Sequence, residues 1–232
     1  MDDRYIRQVN LPLFGAESQK KLQNTRVLVC GLGGLGCPCA VYLASMGIGT
    51  IGLCDGDTIQ ISNLNRQFLY AENDIGKNKA EVACSVLAKQ FPNTKFIAHN
   101  TFLTEKNVDK TVQTYSIAAD CLDTWNEKLL LNDACVRKNI PFVHAAIGQF
   151  SGQILPIIPK QTACLRCLDI APNTDKNILG AAAGAIACLQ AVQICNCIAD
   201  IAPVNGLFML DTLNMESVLL PVEKNKNCIC NA

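Results

Sequence analysis

The sequence predicts an α/β protein built on a doubly wound, mostly parallel β-sheet that continues into an antiparallel back half. Three observations predict it. A β-branched strand runs into a glycine-rich turn and then a helix over residues 26–46, strands and helices alternate to about residue 148, and short strands around one long apolar helix follow. The 232 residues, half of them hydrophobic, suffice for a single domain over 1–232 with an ample core, divided into a front part of about 24–148 and a back part of about 149–232.

Residues 26–30 are the first clear strand, followed by Gly31, Gly33, Gly34 and Gly36 and a helical stretch over 38–46. A second β-branched run, 50–54, ends at Asp55 and Asp57 and completes a βαβ unit. Residues 74–91 read as a helix, 95–99 as a short strand, 105–115 as a helix and 116–122 as a strand ending at Asp123. A helix over 126–139 and a strand over 141–146 sustain the alternation. Beyond Gly148 come short strands around 152–159, the apolar stretch 178–202, and a last pair near 207–210 and 218–222. There is no Pro/Ser-rich linker, repeat or low-complexity tract, and 173–177 is the only polar loop long enough to be mobile.

Twenty basic residues offset twenty acidic ones, so no global field draws the chain to nucleic acid or to an anionic membrane. Asp2 and Asp3 stand where a secretory signal carries bases and an apolar core, which makes a cytoplasmic protein the expectation. The fourteen cysteines then read as reduced thiols or metal ligands, and most of them, Cys30, Cys54 and Cys84 included, as small core hydrophobes. Residues 178–202 imitate a membrane span. Gln190, Gln193, Asn196 and Asp200, however, recur every three or four positions, the polar stripe of a buried core or subunit-interface helix.

Gly31, Gly33 and Gly36 satisfy G-x-G-x-x-G in the strand-to-helix setting of a Rossmann-like fold, which turns backbone N–H groups and a helix N-terminus toward a phosphate. Asp55, ending the next strand, is placed for a ribose hydroxyl. Taken alone, these features favour an NAD(P)-dependent oxidoreductase, with tight strand–helix packing as the bland alternative. The residues after Asp55 point elsewhere. Asp57, Ser62, Asn63, Arg66 and Gln67, then Asp74, Lys77 and Lys79, gather acids, amides and cations beside the glycine loop, and such a cluster suits a triphosphate.

At these residues the chain resembles the MoeB/ThiF/HesA family, the ubiquitin-activating-enzyme-like adenylyltransferases of sulfur-carrier proteins. The resemblance runs from Arg4, Tyr5, Arg7 and Gln8 through 31–36, 55–67, 74–79, Asp120 and Asp123, Gly152 and Gln153, to Cys164 and Cys167 and a terminal cysteine pair. It implies an ATP-dependent enzyme that activates the C-terminal Gly-Gly carboxylate of a ubiquitin-like sulfur carrier (MoaD/ThiS type) as an acyl-adenylate, releasing pyrophosphate. Molybdopterin, thiamine and other sulfur-transfer pathways all fit, and a noncatalytic docking protein for a ubiquitin-like partner is a third reading.

The resemblance also implies roles. Gly31, Gly33, Gly34, Gly36, Asp55, Asp57, Ser62, Asn63, Arg66, Lys79, Leu122 and Asp123 would line the nucleotide. Arg66, Lys79 and Asp123 would act on the phosphates, Asp123 through Mg²⁺, although Leu122 and Thr124 flank it where relatives often carry Thr and Asn. Arg7 would reach the site of the other protomer of a homodimer. Cys164 and Cys167 have zinc-knuckle spacing, and in the family a second C-x-x-C completes a structural Cys₄ site; here the pair is Cys228 and Cys230, one residue short. His99 and His144 fall in no motif, so catalysis by histidine is not expected; the nucleophile would be the partner's own carboxylate. Residues 168–187 contain no cysteine, and Cys188 sits in an apolar helix pattern that predicts a buried, poorly ionised thiol. The chemistry is therefore expected to stop at the acyl-adenylate, which passes to an external sulfur donor.

Overall fold

A computed structural model describes residues 3–168 and 177–231. The chain opens with α1 (Ile6–Val9) and α2 (Gly15–Asn24), then β1 (Arg26–Cys30), α3 (Gly36–Ser45), β2 (Thr50–Cys54), α4 (Lys79–Gln90), β3 (Lys95–His99), α5 (Val108–Val112), β4 (Ile117–Asp120), α6 (Trp125–Lys138) and β5 (Phe142–Gly148). It continues through β6 (Ser151–Ile157), α7 (Gly180–Ile198), β7 (Leu207–Asp211) and β8 (Glu216–Leu220). All eight strands form one sheet in the order β3-β2-β1-β4-β5-β6-β7-β8. The pairs from β3 to β5 are parallel; those from β5 to β8 are antiparallel.

Alternation along β1 shows why it is central. Val27 and Val29 enter one core, with Leu43 of α3, Leu87 of α4 and Ile186 of α7, while Leu28 and Cys30 enter the other, with Val112 of α5 and Leu131 of α6. Helices therefore cover both faces of the parallel part, as the double winding requires. The helix α7 is long and apolar enough to cross a membrane, yet it serves as a core helix. Its Gln190 is wholly buried and donates to the carbonyls of Asp120 and Val143, and Gln193, also buried, accepts from Val204 N. Two members of the polar stripe thus join α7 to the body of the protein.

Three of the differences from the sequence reading have a visible cause. The helix expected over 74–91 starts at Lys79, because Gly76 adopts φ +86° and Asn78 caps the helix by accepting from Glu81 N at 3.1 Å. The helix expected over 105–115 shrinks to α5, since Asn107 folds back to accept from Thr104 N. Strand β4 stops at Asp120, whose carboxylate accepts from Leu122 N and turns the chain. Of the polar loop at 173–177, all but Asn177 lies outside the described residues.

Candidate nucleotide site and cysteine cluster

The glycine loop lies at the carboxyl ends of β1, β2 and β4, where open parallel sheets place ligands. Gly31 has φ +89°, and a Cβ there would stand 2.5 Å from Cys121 O; one on Gly36 would stand 1.9 Å from Gly31 O. Both positions are closed to any side chain. A Cβ on Gly33, by contrast, would meet nothing nearer than Gln67 Nε2 at 3.7 Å. The loop is thus packed from below by Gly31 and Gly36 and left bare at Gly33. Leu32 N donates to Asp55 Oδ2 at 2.7 Å and Asp57 N to Asp55 Oδ1 at 2.8 Å, so Asp55 is fixed against the loop with a lone pair on each oxygen to spare. Burial pushes its carboxyl above the usual range.

The phosphate-binding candidates surround this loop. Lys79 is buried at the start of α4 and pairs with exposed Asp57 at 3.1 Å. Asn63 is buried, its carbonyl accepting from Arg66 N and Gln67 N and its side chain from Gln60 N. Arg66 donates to Ser62 O and Asn65 Oδ1 and borders a cavity of about 300 Å³ with Gly34, Phe68 and Gly184. A larger concavity, about 590 Å³, opens at the amino ends of the strands around Lys21 and Asp200 and contains none of these residues.

Asp123 stands exposed on the turn after β4, beside half-buried Leu122. Glu127, one turn into α6, is pushed above its usual range by burial and then by the charges of Asp123, Asp55 and Asp57. Four acids therefore share this edge, although their ligand atoms are not gathered closely enough to hold an ion by themselves. That donor set fits Mg²⁺ bound through one carboxylate and phosphate oxygens. The fit for a nucleotide rests on the bare cradle at Gly33 and on Gln67: its Oε1 is the one buried side-chain atom left without a partner among the described residues. Arg7, in contrast, is exposed on α1, and no described contact joins it to the loop.

Sequence reasoning missed the polar cluster beneath the site. Asp120 is wholly buried; Lys128 donates to its Oδ1 at 3.1 Å and His144 Nδ1 to its Oδ2 at 2.7 Å. Burial alone would raise the Asp120 carboxyl, but Lys128 and His144 outweigh it and hold it low. His144 is itself wholly buried, and burial and then Lys128 push it below its ordinary value. Glu127 was legible: Thr124 and Glu127 carry the S/T-x-x-E spacing of a helix start, and Thr124 caps α6.

The shortened cysteine motif closes. The sulfurs of Cys164, Cys167, Cys228 and Cys230 lie within 4.8 Å of one another, with Cys164–Cys228 and Cys167–Cys230 both at 3.5 Å. Tetrahedral zinc with bonds of about 2.3 Å needs sulfurs roughly 3.8 Å apart, so these four fit it. Asn225 N donates to Cys167 Sγ, and Leu165 N and the Arg166 guanidinium tie the knuckle to Asn132 and Asp133 of α6. Cys188 departs from expectation. It is half-buried instead of fully enclosed, because the helix turns Ala187 and Gln190 inward.

The ThiF family description matches residues 5–232. The chain belongs to the ThiF family. Relatives of this ThiF-family chain include the adenylyltransferase and sulfurtransferase MOCS3 of Xenopus laevis, 35% identical over 240 residues and spanning 98% of this chain. The chain covers only 53% of that relative, about half its length. Protein HesA (heterocyst) of Trichormus variabilis is 34% identical over 232 residues, covering 97% of this chain and 87% of its own. Among solved structures, Escherichia coli MccB with ATP superposes with a TM-score of 0.88 at 23% identity, covering 100% of this chain and 74% of MccB, which establishes the shared fold.

Proposed function

We propose that this ThiF-family chain is an ATP-dependent adenylyltransferase that activates the C-terminal Gly-Gly carboxylate of a ubiquitin-like sulfur-carrier protein as an acyl-adenylate, in the cytoplasm and as a homodimer. The observation that carries the reading is the convergence of the bare glycine loop, Asp55, Lys79, Arg66 and Asp123 on one edge of the parallel sheet. Asp55 holds the ribose hydroxyls; Gly33 and Gly34 let the phosphates approach the backbone. Asn63, Arg66 and Lys79 meet negative charge that grows as the carrier's carboxylate attacks the α-phosphate and pyrophosphate leaves. Asp57 keeps the Lys79 ammonium aimed at the site. Asp123 would hold Mg²⁺, which would neutralise charge on the phosphates. Rate enhancement then comes from position and fixed charge. The oxidoreductase reading has only the glycine loop and Asp55 behind it, and a nicotinamide diphosphate needs far fewer cations than this set supplies.

The front part, about 24–148, holds the nucleotide in this reading and the back part, about 149–232, the carrier and zinc. Support for a carrier surface comes from the antiparallel end of the sheet. Gln153, Met209 and Val218 are register neighbours across β6, β7 and β8, and Met209, Val218 and Leu220 are exposed on one face. Support for the dimer comes from exposed Ile6, Leu11 and Leu13 around Arg7 and from Tyr42 and Val192 on the outer faces of α3 and α7. The four cysteines hold a structural zinc ion. Cys188 is half-buried, so burial alone does not decide against a covalent carrier adduct. The expectation of a pure adenylyltransferase feeding an external sulfur donor now rests on the lack of cysteine in 168–187.

The test is pyrophosphate exchange into ATP, with and without carriers ending in Gly-Gly. Carrier-dependent exchange is expected, with no thiol-sensitive enzyme–carrier adduct in wild type or Cys188→Ser. Absence of exchange across several cognate carriers would remove the proposal, and a Cys188-dependent adduct would overturn its final step.

A further inference from the structure

Before the turn that carries Asp123, residues of β4, β5, β6, α6 and α7 meet in a buried polar cluster that none of the assigned roles uses. Asp120, the last residue of β4, stands in register with His144 of β5. Its carboxylate accepts from Leu122 N at 3.2 Å, Lys128 Nζ at 3.1 Å and His144 Nδ1 at 2.7 Å. Lys128 Nζ also donates to Ala145 O at 2.7 Å. With Nδ1 donating to Asp120, the neutral ring presents a lone pair at Nε2, and Gln153 Nε2 on β6 lies 3.2 Å from it. Trp125 packs edge-on against the same ring. From the other face, Gln190 donates to Asp120 O and accepts from Cys121 Sγ.

We propose that His144 is a positioning residue: through Asp120 it sets the turn of residues 121–124 that carries Asp123, and through Gln153 it couples that turn to the sheet face of the back part. The proposal rests on the assignment of Asp123 to the nucleotide site. The turn leaves β4 without a strand partner beyond Cys121, and the Asp120 carboxylate is the side-chain anchor of its Leu122 amide. Leu122 N and Lys128 Nζ hold Oδ1 and His144 holds Oδ2, so the carboxylate plane is fixed at both ends; without His144 the Oδ2 end is unheld, the plane can swing about the Oδ1 bonds, and the turn that carries Asp123 shifts with it. Asp123 touches none of the cluster itself, so the effect is one of placement, and a misplaced charge-bearing group lowers turnover more than ground-state binding.

The experiment compares His144→Phe, which keeps a planar aromatic ring, somewhat larger than imidazole, and removes both bonds, with His144→Asn, whose amide N–H restores a donor near the Nδ1 position. In folded protein, His144→Phe is expected to lower kcat for carrier-dependent exchange about tenfold or more with KM for ATP within about threefold, and His144→Asn to recover most of it. A merely structural role would lower thermal stability without this split. The ligand-free protein supplies an independent readout: backbone amide resonances of Leu122, Asp123 and Thr124 should shift in His144→Phe and return toward wild type in His144→Asn. Should His144→Phe not fold, Gln153→Leu, at a half-buried position, breaks the same chain from its other end and should shift the same three resonances. Unmoved resonances in folded His144→Phe, or a kcat for that variant within about twofold of wild type, overturn the proposal. Wild-type protein without any exchange, but with the expected resonance shifts, would instead count against the adenylyltransferase reading alone.

Discussion

Replacing two glycines of one loop should separate packing from binding. At Gly36 an added Cβ would lie 1.9 Å from Gly31 O, a backbone atom that cannot rotate away. Relief requires the loop or the start of α3 to move by roughly 1 Å, in a core packed to crystal-like density. Gly36→Ala is therefore expected to cost about 3 kcal/mol or more in folding stability. At Gly33 the added carbon would make ordinary contact with Gln67 Nε2 at 3.7 Å, so Gly33→Ala should fold within about 1 kcal/mol of wild type. Its methyl group, however, would fill the space where a phosphate approaches the backbone, and ATP affinity should fall at least about tenfold. Urea denaturation and calorimetric titration with ATP measure the two quantities. Wild-type stability in Gly36→Ala would refute the packing argument; wild-type ATP affinity in Gly33→Ala would refute the cradle.

Arg66→Ala, Lys79→Ala and Asp123→Ala should each lower adenylation by about a hundredfold with the fold intact, as loss of one fixed stabilising charge does elsewhere; near-normal rates in all three would dismiss the site. Mixed dimers of Arg7→Ala and Asp123→Ala protomers should regain activity by restoring one intact site, and a protein that is strictly monomeric in solution would eliminate sharing. Purified protein should contain about one zinc per chain, and Cys230→Ser should lose it along with thermal stability, as read by elemental analysis and thermal unfolding. Stability should also decline in mild acid. Burial holds His144 and His99 below their ordinary value of about 6.5, so below that pH the unfolded chain binds more protons than the native one. Faced by Asp120, Lys128, Gln153 and Trp125, His144 contributes a slope of at most about 1.4 kcal/mol per pH unit, and half-exposed His99 contributes less. Urea midpoints from pH 7.5 to 5 measure it, and His144→Phe should flatten the curve.

Strands were the most legible elements. The runs at 26–30, 50–54 and 95–99 were read to the residue because apolar side chains hold their centres and turn residues bound them. Residues 74–78 misled because acids and lysines suit a helix start, while Gly76 at φ +86° cannot sit inside one. Within the site, the glycine loop and the cations announced themselves through local spacing. The Asp120 cluster could not, for its members are joined by the registers of β4 on β5 and β5 on β6, which no single segment encodes. The side of α7 on which Cys188 falls was equally hidden, since an almost wholly apolar helix has little periodicity to orient it.

The seam between the parallel and antiparallel parts of the sheet carries a mechanical consequence. Every residue of β5, from Phe142 to Gly148, pairs with β6, so the edge proposed to hold ATP and the face proposed to hold the carrier share one unbroken ladder. Such a platform has no hinge at its middle. Bringing a carboxylate to the α-phosphate cannot rely on two lobes shutting like a clam. The travel has to be made by the incoming tail, and a carrier whose tail is a residue too short would dock without reacting.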